Sequence, residues 1–233
     1  MKVFLVGEGR HDIGDLAKEP PFRSGRPGFL QPVIESVAGS RVTFEGQKVS
    51  LIGKKRVSGL KEVAEKKAWM ASLLAENVGA DLLVYVRDLD KESGTSKSRR
   101  ETIGAIARKR EQIVRGCEAY TDAIRCVPGI PCRMIEAWAM GDLVAVAQVS
   151  DFVTSVKLPS GKGPEELWGE RSDPMSDHPK NVLKRIFGGK YTQEDMRRVA
   201  ELADIRMVRK KCPLSFEPFA AELEEAVAAL GST

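Results

Sequence analysis

Residues 82–86, LLVYV, carry no charge and show no alternation of polar and apolar side chains. A strand that is apolar at every step must be covered on both faces, which is the condition of a parallel sheet held between helices. The flanking sequence supplies such helices. The run LKEVAEKKAWMASLLAENVGA sets Leu60, Val63, Ala64, Ala68, Ala71, Leu74 and Ala75 on one helical face, with lysines and glutamates opposite and Gly79 as a stop. On the other side, KSRRETIGAIARKREQIVRGCEAY reads as a basic amphipathic helix. KVFLV, residues 2–6, is a second strand that stops at Gly7-Glu8-Gly9. AIRCVPGIPCRMIEAWAMGDLVAVAQV reads as a strand, a Pro-Gly turn and another helix. This alternation predicts an α/β, Rossmann-like fold: a mostly parallel sheet flanked by helices and joined by right-handed crossovers.

The remaining segments elaborate that core. Residues 13–28 are punctuated by EPPF and GRPGF and read as a loop, followed by the helical pattern FLQPVIESVAG with Pro32 in its first turn. RVTFEGQKVSLIG, residues 41–53, is compatible with one long bent strand or with a hairpin. After Asp151 the chain turns rich in Pro, Gly, Ser and charge (VKLPSGKGPEELWGERSDPMSDHPK), the composition of a long loop or small lobe. Helical patterns return in NVLKRIFGG, QEDMRRVAELADI and FEPFAAELEEAVAAL. The expected organisation is an α/β core over residues 1–150, with 151–233 forming a loop and helical C-terminal extension packed on it. A chain of 233 residues, 42% hydrophobic, is long enough to bury one elaborated core of this kind.

Bulk properties exclude several classes. Lys and Arg number 37 against 33 Asp and Glu, so the net charge of +4 does not by itself announce a nucleic-acid binder; clustering matters more. Cys117, Cys126, Cys132 and Cys212 lack paired CxxC spacing, which points to reduced thiols rather than a disulfide framework or zinc site. No apolar run is long enough to span a bilayer and no secretory segment precedes the first strand, so a soluble, cytoplasmic protein without membrane contact is expected. With only His11 and His178, a histidine-rich metal centre is disfavoured.

The chemistry lies in the acids. In an open parallel sheet, ligands gather beyond the carboxyl ends of the strands. Glu8 follows the first strand; Asp88 and Asp90 follow LLVYV, and alternate positions of an extended segment point the same way. Three carboxylates in one cleft repel each other unless a cation lies between them, and Mg²⁺ (or Mn²⁺) held by oxygen donors leaves room for phosphate. The plainer reading is that these acids cap the following turns. Glu136, near the start of a helix, is either a fourth acid of the cleft or a charge complementing the helix dipole. His11 is a proton shuttle or a plain loop residue, His178 is in the same position, and Asp12 most simply caps the next turn. Trp138 reads as core. Lys91, Lys97, Arg99 and Arg100 follow the acidic loop and would neutralise a phosphate backbone, with Arg133 and Lys180 as contacts to a scissile phosphate. Arg108, Lys109 and Arg110 read as a solvated helical face.

Gly7-Glu8-Gly9 after strand one and Asp88-Leu89-Asp90 after a later strand together resemble the TOPRIM domain of topoisomerases, primases and OLD-type nucleases. Within that class the chain looks most like small bacterial TOPRIM-like proteins often linked to phage-defence loci. PGIPCRMIEAWAMGD (128–142), HPK (178–180) and KKCPLSFEPF (210–219) resemble that family's later blocks, so the likeness runs nearly the full chain. It implies a metal site in which Glu8 serves acid-base or metal-binding roles and Asp88 and Asp90 bind Mg²⁺. The family's DxDxxG spacing is here DLDKESG, with Gly94 one place late and Glu92 available as a further ligand.

The expected function is a Mg²⁺-dependent nuclease hydrolysing phosphodiesters of DNA or RNA, an effector of antiviral defence, with Glu8, Asp88, Asp90 and Glu136 as catalytic residues. One alternative is a non-catalytic or partner-regulated TOPRIM-like module working with an ATPase or other defence-system partner. Another is a metal-dependent nucleotide or sugar-nucleotide enzyme, since DxD after a strand also holds metal-diphosphate. A P-loop ATPase is disfavoured by the lack of GxxxxGK[ST]. Tyr85, Tyr120 and Tyr191 carry no signal of a topoisomerase nucleophile and read as structural.

Overall fold

A computed structural model describes residues 1–15, 25–39, 41–53, 55–89, 99–121, 123–150, 157–159 and 161–231. In chain order its elements are β1 (Lys2–Gly7), α1 (Arg10–Ile13), α2 (Leu30–Ala38), β2 (Thr43–Lys48), α3 (Val63–Asn77), β3 (Leu82–Val86), α4 (Arg99–Glu118) and β4 (Arg125–Gly129). They are followed by α5 (Ile135–Ala139), α6 (Leu143–Val149), α7 (Pro179–Ile186), α8 (Gln193–Leu202), α9 (Ile205–Lys211) and α10 (Phe216–Leu230).

The described strands form one four-stranded sheet in the order β2-β1-β3-β4, and every pairing is parallel. The chain leaves β1 for β2 on one side, then passes back across β1 to reach β3 and β4. Strand order therefore reverses between β1 and β3, which makes the rim above that pair the natural place for a ligand. Neighbouring strands are in register there, with Val3 opposite Leu82 and Leu5 opposite Val84.

The pleat divides the apolar side chains between two layers. Val3, Leu5, Leu82, Val84, Val86 and Val127 join a core with residues of α2, α5, α6, α7, α8 and α10. Phe4, Val6, Leu83 and Tyr85 face the other way, against alanines of α3 and Ala105 and Ile113 of α4. All five residues of β3 are buried, which is why LLVYV shows no alternation. Burying such side chains is the main stabilising term of the sheet, roughly 1.5–3 kcal/mol for each large aliphatic or aromatic group.

Several expectations are adjusted. Residues 41–53 form neither a hairpin nor one long strand: β2 ends at Lys48 and Val49–Leu51 make a 3₁₀ turn. Pro128-Gly129 is not a turn but the end of β4, whose outer edge bears no partner strand among the described residues and so tolerates a proline without an N–H. The helical pattern over 134–149 divides into α5 and α6 at Gly141, where Asp142 accepts the N–H groups of Val144 and Ala145 and caps α6. The short helix α9 follows α8 after a break at Ala203. Lys109 is not on a solvated face: it is buried, and its Nζ donates to the Asp88 carbonyl at 2.9 Å. The four cysteines are free thiols. Among the described residues, no helix is long and apolar enough to cross a membrane.

Candidate functional site

The turn after β1 folds tightly because Gly7 carries no side chain there. A Cβ at Gly7 would stand 2.5 Å from Ile13 Cγ2, so only glycine lets α1 tuck beneath the strand end. Asp12 closes this turn: its Oδ2 accepts the N–H groups of Glu8 and Gly9, both at 2.9 Å. The plain capping role expected of Asp12 is thus present, and it leaves the Asp12 carboxyl buried beside the cleft.

The cleft has a volume of about 320 Å³ and opens at the carboxyl ends of β1 and β3. Glu8, His11, Asp12, Asp88, Glu136 and Lys180 line it, with Arg10, Met134 and Arg171 completing the wall. Acids far apart in the chain meet here because parallel register brings the ends of neighbouring strands to one rim. Glu8 stands one residue beyond β1 and Asp88 two residues beyond β3. The segment after β3 is steadied from the β4 side, where Gly129 and Pro131 carbonyls accept the N–H groups of Arg87 and Leu89 at 2.9 and 3.3 Å.

Glu136 lies in the first turn of α5 and also faces the cleft, so its two readings coexist. It is 2% exposed, accepts the Tyr191 hydroxyl, and has Lys180 Nζ at 3.8 Å. Tyr191 in turn packs its ring 5.0 Å from that of His11. Burial and the charge of Glu136 raise the Tyr191 phenol well above its ordinary value, which keeps it a donor. His11 is held below its ordinary range by burial, against the pull of Glu136 and with a further push from Lys180. Asp12 is pushed up to about 7, first by burial and next by the Glu136 charge, with Glu8 adding to it. Glu8 itself faces Arg87 at 3.6 Å.

Such crowding bears on whether a cation fits. The donors are oxygen acids, the type that Mg²⁺ and Mn²⁺ prefer, and the charges of Glu136 and Glu8, which add to burial in raising the Asp12 carboxyl, are ones that a divalent ion would offset. Among the described residues, no three of His, Cys, Asp and Glu form a group that could hold a metal ion. Glu8 and Asp88 would therefore need a further ligand. The sequence nominates Asp90, which lies outside the described residues together with Glu92, Gly94, Lys91 and Lys97.

The other expected residues are distributed unevenly. Lys180 is in the cleft. Arg99 and Arg100 are exposed at the start of α4, and Arg99 lines a separate depression with Lys210 and Lys211. Arg133 lays its guanidinium on the Trp168 ring, 3.3 Å from the ring centroid, and does not line the cleft. His178 is buried at the head of α7. Trp138 is core: it is fully buried, donates from Nε1 to Ser215 Oγ at 2.7 Å and stacks on Phe219. Sequence reasoning missed Tyr191, Arg171 and the buried tie from Lys109 to Asp88. None has a local signature, although the PGIPCRMIEAW block that contains Glu136 did mark one wall of the site.

The family described as "Domain of unknown function (DUF4276)" matches residues 27–224 of the chain. No curated protein and no solved structure matches it.

Proposed function

Because the chain belongs to the DUF4276 family, whose description assigns no activity, its function must be argued from the cleft, and we propose that it is a metal-dependent nuclease with a TOPRIM-like carboxylate site. The observation that carries this reading is the meeting of Glu8 and Asp88 at the strand-order reversal, in one cleft with Glu136 and the cations Lys180 and Arg171. Acids and cations facing one space suit a phosphodiester, which needs its oxygens neutralised and a water positioned.

Glu8, Asp88 and Asp90 would hold Mg²⁺ or Mn²⁺, which when bound supplies Lewis-acid polarisation of the phosphoryl group and of a water. Lys180 and Arg171 would contact non-bridging oxygens. Glu136, oriented by the Tyr191 hydroxyl, would accept a hydrogen bond from the attacking water. His11, biased toward the neutral imidazole by burial, would take the proton released by the water as the new P–O bond forms, and as the scissile P–O bond breaks it would return that proton to the leaving sugar oxygen. The nucleic-acid strand would reach the cleft in the cytoplasm, where a defence effector would meet it.

The test is direct. The wild-type protein should cut plasmid, single-stranded DNA or RNA with Mg²⁺ or Mn²⁺, and EDTA should stop it. Asp88→Ala and Glu8→Gln should each lower the rate by at least about 100-fold, the order expected when a group acting in the transition state is lost. Cleavage by Asp88→Ala at the wild-type rate would remove this site from consideration.

One observation favours a second reading. Glu8 is already paired with Arg87, and Glu136 with Lys180 and Tyr191, so two of the acids of the cleft have partners within the chain. A module kept inactive until an ATPase or another partner rearranges it would look the same. Calorimetric binding of Mn²⁺ without turnover on any nucleic acid, reversed by adding the partner, distinguishes the two.

A further inference from the structure

Arg133 is the one non-glycine residue with left-handed backbone among the described residues, at φ 65°. It stands between β4 and α5, immediately before Met134 of the cleft wall. Its guanidinium carbon lies 3.3 Å from the centroid of the Trp168 ring, and Trp168 is half-buried. Trp168 in turn is three residues before Arg171, another residue of that wall. The stack is therefore built from two segments that also line the cleft.

Both flanks of Trp168 are anchored. On one side, the Glu165 carboxylate accepts the N–H groups of Leu214 and Ser215, each at 2.8 Å. On the other, the Asn181 side-chain amide donates to the carbonyls of Glu170, Arg171 and Asp173 at 3.3, 3.1 and 2.7 Å. Gly169 is packed so closely that a Cβ there would lie 2.7 Å from Ser176 Cβ. Fixed indole and guanidinium planes are surfaces on which nucleobases stack. Left-handed backbone is easy for glycine and strained for arginine, so the conformation at Arg133 holds a long cationic side chain where the backbone alone would favour a smaller residue.

We propose that the Arg133–Trp168 pair is a stacking platform for one unpaired base of the nucleic acid whose backbone crosses the cleft, which makes single-stranded segments the preferred substrate. The inference rests on the nuclease reading of the cleft, and it redirects Arg133 from phosphate to base. Duplex, whose bases are already stacked on one another, gains nothing from such a platform.

The experiment measures binding in EDTA, where no metal-dependent cleavage occurs, with a short oligothymidylate carrying a single 2-aminopurine. Binding should quench the 2-aminopurine fluorescence, and affinity should exceed that for the matching duplex on the order of 10-fold. Trp168→Ala should abolish the quench and weaken binding by about 10-fold, while Trp168→Phe, which keeps a ring, retains most of both. Binding without a quench, equal affinity for duplex, or wild-type behaviour in Trp168→Ala overturns the platform. If near-ultraviolet circular dichroism shows that Trp168→Ala does not fold, the wild-type protein decides alone: equal affinity for the oligonucleotide and for one with abasic sites overturns the proposal. Adding Mn²⁺ then separates the two claims. A quench without subsequent cleavage supports the platform and sinks the nuclease reading, whereas Asp88-dependent cleavage with base-independent binding sinks the platform alone.

Discussion

The Asp12 carboxyl is buried, accepts two backbone N–H groups and faces the charges of Glu136 and Glu8. Its pKa rises from an ordinary 3.8 to about 7 in the fold. Between those values the native protein keeps a proton that the unfolded chain has released. The stability tied to this group is therefore present near pH 4 and is lost as pH rises toward 7. Asp12→Asn removes the titration while keeping an acceptor for Glu8 and Gly9. Relative to wild type, the variant should gain stability from pH 4 to pH 7 in metal-free buffer, by a few kcal/mol at most, since a tenfold difference in proton affinity between the folded and unfolded chain is worth about 1.4 kcal/mol. Urea titrations across that range measure it; a difference that does not change with pH would refute the buried charge as its cause. Glu8 and Asp88 were legible in the sequence because strand ends are legible and ligands gather beyond them. The pairing of Tyr191 with Glu136 was not, since a hydroxyl 55 residues away along the chain leaves no periodic trace.

Helices α3 and α4 cover one face of the sheet, and their close approach depends on Gly116 of α4. A Cβ there would fall 2.2 Å from the Glu65 carbonyl oxygen and 2.8 Å from Ala68 Cβ. Gly116→Ala should destabilise the protein by about 1–3 kcal/mol through overpacking, despite alanine's better helix propensity. Gly104→Ala in the same helix meets only Arg108 Nη1 at 3.6 Å, so it should stabilise by up to ~1 kcal/mol. Thermal melts of the two variants should move in opposite directions; a shared direction would mean that propensity outweighs the contact. The existence of α3 and α4 followed from their apolar stripes. That Lys109 turns inward to the Asp88 carbonyl did not, because the charge run KRE looks the same whether one lysine faces water or protein. The same limit explains β2, whose apolar residues continue past Lys48 into a 3₁₀ turn without any change of composition.

The helices after residue 178 supply much of one face of the core. Phe216, Phe219, Leu223 and Ala226 of α10, with Val182, Leu183, Met196 and Val199 of α7 and α8, join Val127 and Trp138 in one cluster. A chain ended at residue 150 would strip these side chains from the cluster and expose their apolar partners to water. The 233-residue chain should unfold in urea in a single transition, while the shortened chain should bind an apolar dye and lack a near-ultraviolet signal. Cooperative folding of residues 1–150 alone would show that the later helices are dispensable to the core.

Hydrophobic period and turn residues act locally, so the run of residues alone specified the strands at 2–7 and 82–86, the helices around them and the parallel α/β class. The same locality placed Glu8 and Asp88 at strand ends. Which side chains meet across that rim is settled by strand order, register and helix packing, all of which join residues far apart in the chain. Hence the lining of the cleft by Glu136, Lys180 and Arg171, the hold of Tyr191 on Glu136 and the laying of Arg133 on Trp168 emerge only once the sheet has closed.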